Sequence, residues 1–100
     1  MEGKMRADVA WWILGSRRIA LESLDMDISL SQEGQMQVHA TAILKGRVSG
    51  VSPGDQDLEI ELEMEGVNYR IQNAVVFDME FLSSGKSSLQ ITGTLQPARL

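Results

Sequence analysis

The chain has 100 residues, the size of one domain with one hydrophobic core. Its 43% hydrophobic and 23% charged residues are ordinary for a globular chain and argue against disordered and membrane-spanning classes. Cysteine is absent, which excludes disulfides, thiolate catalysis and cysteine-held zinc or iron–sulfur centres, and a net charge of −5 with scattered Lys and Arg argues against a nucleic-acid partner.

In chain order, Met1–Asp8 reads as a flexible arm or a turn of helix ahead of the apolar run Val9–Leu14. That run is far short of the ~20 residues a membrane-spanning helix needs. It is followed by Arg17-Arg18 rather than a small-residue cleavage site, so it reads as a strand and not as a targeting segment. No membrane partner is expected, and the expected location is cytoplasmic or within a virion-like particle. Gly15-Ser16 fits a type II′ turn between Ala10–Leu14 and Arg17–Leu21. The apolar phase then slips between Leu21 and Leu24, which predicts a bulge or bend.

Leu24, Met26, Ile28 and Leu30 alternate with polar residues, as do Met36, Val38, Ala40, Ala42 and Leu44 beyond Gln32-Glu33-Gly34. A type I turn closed by Gly34 sets Leu30 opposite Met36, Ile28 opposite Val38 and Met26 opposite Ala40, so both strands offer one apolar face. Gly46–Gln56, with Gly50, Pro53 and Gly54, is the irregular connection between two halves of a single domain. Leu58, Ile60, Leu62 and Met64 then alternate with acids, and a two-residue turn at Glu65-Gly66 sets Leu62 opposite Tyr69, Ile60 opposite Ile71 and Glu61 opposite Arg70. Val75, Phe77, Met79 and Phe81 are expected on one face of the next strand, and after Ser83–Ser87 the chain returns through Leu89, Ile91 and Leu95. The predicted fold is all-β, an antiparallel β-sandwich or small barrel built from consecutive hairpins.

Four groups of residues invite a chemical reading. His39, the only histidine, falls opposite Asp27 with Ser29 diagonal to it. A flat strand face gives no oxyanion cup for a triad, so the expected contact is a cross-strand His39–Asp27 pair. Asp57, Glu59, Glu61 and Glu63 share a strand face at about 6.6–6.8 Å spacing, a straight ladder rather than the curled loop of a calcium site. Trp11 and Trp12 point to opposite faces; the one outside the core is a candidate interface residue, together with Val51 and Pro53 of the connecting loop. Arg17 and Arg18 are the candidate anion site of an alternative ligand-binding reading. No catalytic, cofactor-binding or metal residue is assigned.

From Leu58 to Leu95, the run of strand, Glu-Gly turn, Val67–Ile71, Asn73-Ala74-Val75, a Ser/Gly-rich turn and Leu89-Gln90-Ile91-Thr92-Gly93-Thr94-Leu95 resembles the β-sandwich proteins of phage and prophage tails. The resemblance implies a non-enzymatic structural subunit that assembles as a homo-oligomer, or with other structural proteins, through sheet edges and arms. Arg17-Arg18, Asp27-Ile28-Ser29 and Pro53-Gly54-Asp55 before a strand are similar to PilZ domains. That similarity implies binding of a cyclic dinucleotide or another anion.

Overall fold

The computed structural model describes residues 2–48, 54 and 58–98. These form β1 (Gly3–Arg6), β2 (Val9–Leu14), β3 (Arg17–Ala20), β4 (Ser23–Leu30), β5 (Met36–Lys45), β6 (Leu58–Met64), β7 (Val67–Phe81) and β8 (Lys86–Pro97). Among the described residues there is no helix, and so none long and apolar enough to cross a membrane. The arm or helical turn expected before Val9 is instead strand β1, antiparallel to β4 with Met5 opposite Met26. Its pattern explains this, since half-buried Met5 packs on the core between exposed Lys4 and Arg6.

The local turn chemistry holds. Gly15 has φ +60 and joins β2 to β3 with Leu14 opposite Arg17, as a II′ turn requires. Gly34, at φ +81, closes the β4–β5 turn by donating its N–H to Ser31 O at 3.0 Å, and Leu30–Met36, Ile28–Val38 and Met26–Ala40 are partners. Across the Glu65-Gly66 turn the partners are Leu62–Tyr69, Glu61–Arg70 and Ile60–Ile71.

All eight strands belong to one sheet, in the order β1-β4-β5-β8-β7-β6-β2-β3. β1 lies at one end of that order, yet only Ala7-Asp8 separate it from β2 near the other end; Leu21-Glu22 likewise connect β3 to β4. Two residues cannot cross a flat sheet, so the sheet curls until its ends meet. At the meeting line the Ala7 N–H donates to Leu24 O (3.0 Å) and the Leu21 N–H to Ala10 O (2.9 Å). The residues between them turn away: the Asp8 N–H donates to Glu63 O and the Glu22 N–H to Ile43 O. Buried residues are therefore three apart in both segments, Ala7 to Ala10 and Leu21 to Leu24. The phase slip read at Leu21–Leu24 is one half of a paired bend where two chain segments change partners.

The interior holds Trp12, Leu24, Ile28, Ile60, Leu62, Ile71, Val76, Leu89, Ile91 and Leu95, each almost fully buried. Strand β7 departs from the expected alternation. Its register against β8 shifts between Gln72 and Val75 and again between Val76 and Asp78, so it carries two bulges. The first contains Asn73 at φ +54 and brings Ala74 and Val76 into the core, which leaves Phe77 48% exposed. The second returns Met79 to the core side. Gly93 stands across from the first bulge: a Cβ there would lie 2.6 Å from Ile71 Cγ2 and 3.1 Å from Gln72 O, so a side chain has no room.

Candidate functional site

Of the two tryptophans, Trp12 enters the core at 1% exposure and cannot anchor an interface while the chain is folded. Its indole N–H has no hydrogen-bond partner among the described residues. Trp11 takes the outer face, half-buried, with the Arg18 guanidinium 4.2 Å from its ring centroid. Arg18 also lies 3.8 Å from Glu61 Oε1, so its charge is already engaged from two sides. Arg17 is opposite Leu14 at the hairpin end and, being adjacent in a strand, points to the face away from Arg18. The structure therefore does not bring Arg17 and Arg18 together around an anion. Val51 and Pro53 lie outside the described residues; Gly54, beside them, donates its N–H to Val76 O.

The acidic ladder of β6 faces arginines. Glu59 Oε1 is 2.5 Å from Arg70 Nε, although the register places Arg70 opposite Glu61, which turns to Arg18 instead. Among the described residues no three of the His, Asp and Glu side chains group closely enough to hold a metal ion.

His39 is opposite Asp27 as expected, but its hydrogen bond goes the other way along the sheet. Gln90 Oε1 accepts from Thr41 Oγ1 at 3.1 Å and lies 3.2 Å from His39 Nε2, while the Phe77 ring meets the imidazole edge-on at 5.2 Å. β8 lies beside β5 on the side away from β4, and it supplies the amide that a hairpin reading of β4–β5 alone cannot include. Lys4, Arg6, Asp25, Asp27, Thr41 and Gln90 share with His39 an open groove of about 570 Å³ on the outer face. Arg6 and Asp25 form its one bidentate pair, at 2.7 and 3.0 Å. The guanidinium, chiefly by hydrogen bonding, holds the Asp25 carboxyl below the usual aspartate range.

The sheet also has two uncovered edges. Among the described residues β1 is paired only with β4, and β3 only with β2. The Ala7–Leu24 hydrogen bond sets the phase of β1: hydrogen-bonded pairs alternate along an antiparallel ladder, so Met5 and Gly3 point their backbone groups at β4. The N–H and C=O of Lys4 and Arg6 point away from it. They face a second groove of about 350 Å³, between β1 and the β6–β7 turn, lined by Lys4, Met5, Arg6, Asp8, Met64, Glu65, Val67 and Tyr69. The Lys4-Met5-Arg6 alternation is the only sequence signal for this edge, and it is three residues long.

No family model, no curated protein and no solved structure matches this chain.

Proposed function

We propose that this protein is a non-enzymatic structural subunit that associates with copies of itself through its sheet edges, in the manner of tail-like β proteins. The observation that carries the reading is the pair of four-residue edge strands, β1 and β3, each with one side unpaired among the described residues. A sheet edge is a row of main-chain donors and acceptors, and in a sheet curled onto itself a barrel could close every edge. This sheet stops short of that at both ends of its meeting line. Light scattering after size exclusion, across a concentration series, tests it: the expected result is a defined multiple of the chain mass that persists on dilution into the micromolar range. A monomer at every concentration overturns the reading.

A second reading, a small ligand-binding β domain, is supported by the outer groove at His39 rather than by Arg17 and Arg18. Its polar lining of Lys4, Asp27, His39, Thr41 and Gln90 offers both donors and acceptors. Amide and His39 ring shifts on titration with inorganic phosphate or a cyclic dinucleotide check it; unmoved signals at millimolar ligand reject it for those ligands.

A further inference from the structure

We propose that two copies of this chain pair through β1, free edge to free edge, at the mouth of the groove that each opens between β1 and the β6–β7 turn. The inference rests on the self-association reading and names its surface and symmetry. Three features of the groove carry it. One wall is the free edge of β1, where the N–H and C=O of Lys4 and Arg6 point away from β4 and can form a new antiparallel ladder. The floor is apolar: Met5, Met64 and Tyr69 are buried or half-buried and Val67 is 47% exposed, which suits a second Met5 arriving from the partner.

The third feature is charge. Lys4 and Arg6 lie on β1, Arg6 already held by Asp25, while Asp8, whose Oδ2 accepts the Glu65 N–H, sits with Glu65 at the β6–β7 turn. An incoming β1 brings two cations and seats them beside those two acids. Across a two-fold axis the same contacts repeat, so the surface is complementary to itself, as an isologous interface must be. Within the β1–β1 ladder Lys4 and Arg6 of the two copies also face each other, a repulsion that Asp8 and Glu65 of the groove offset. Lys4 has no ion-pair partner among the described residues, while Arg6 and Arg18 each have one, so Lys4 is the charge with most to gain.

The test uses variants that spare the monomer's own ladder. Lys4→Pro removes an N–H that points away from β4, a kind of edge-strand position where proline is tolerated. It is expected to weaken association by about tenfold or more, the order of a lost main-chain contact at an interface, with the β signature in circular dichroism retained. Lys4→Glu alone and Glu65→Lys alone are each expected to weaken self-association, and mixing the two chains is expected to restore it as a heterodimer. In that mixture the introduced glutamate of one chain meets the introduced lysine of the other, and at the symmetric contact the native Lys4 meets the native Glu65. If wild type assembles and neither Lys4→Pro nor the charge variants weaken it, the β1 seam is overturned while self-association stands. The seam is also overturned if the mixed chains associate no better than either alone. A wild-type monomer at all concentrations overturns both.

Discussion

Trp11 and Trp12 show how one strand position separates two roles. Trp12 fills the interior and Trp11 lies on the outside under Arg18. Truncating a buried tryptophan removes its transfer free energy and leaves a cavity, so Trp12→Ala is expected to lose about 3–5 kcal/mol, much of the stability of a domain this size. Trp11→Ala removes a half-covered ring and one cation–π contact, worth about 1–2 kcal/mol together. Urea unfolding of the two variants measures both losses. Trp12 emission is also expected to be blue-shifted and protected from acrylamide, and Trp11 emission quenched; equal quenching would contradict the assignment of faces. A substitution at Trp12 therefore reports on folding, and only Trp11 can report on surface contacts.

At the scale of the element, β7 depends on an asparagine in a left-handed conformation. Asn73 at φ +54 opens the first bulge, and a β-branched residue is sterically penalised there by about 1–2 kcal/mol. Asn73→Val is expected to lose that amount and Asn73→Gly to be close to neutral, as measured by thermal melts; a neutral valine would mean that the bulge moves at little cost. The same strand marks what could be read in the sequence. The Leu30–Met36 and Leu62–Tyr69 registers were legible because a short turn and a period of two are both local. The burial of Val76 instead of Phe77 was not, because the bulges are set by the partners on either side and by the space that Gly93 leaves opposite. Similar reasons hid the site: Arg18 meets Glu61 and His39 meets Gln90 only once strands distant in sequence are neighbours.

At the scale of the whole molecule, the chain ties the two ends of one sheet together. The β1–β2 and β3–β4 segments each begin at one end of the strand order and finish one strand from the other, bending at Ala7–Ala10 and Leu21–Leu24. Trp12 and Met26 therefore belong to the same two hairpin arms, although one packs beside β6 and the other beside β5. Unfolding either end strips a partner strand from the other and exposes the shared core, so neither half has a stable state of its own. The expected behaviour is a single transition, the usual one for a domain of this length. The chain supplies two probes on opposite sides of the meeting line: Trp12 fluorescence on β2, followed in the Trp11→Phe background, and the ring signals of the lone histidine, His39, on β5. Followed through one urea series in that background, the two are expected to share a midpoint and slope. Separate midpoints would mean that the sheet unfolds as two layers, and that the hydrogen bonds at Ala7 and Leu21 do not couple its ends.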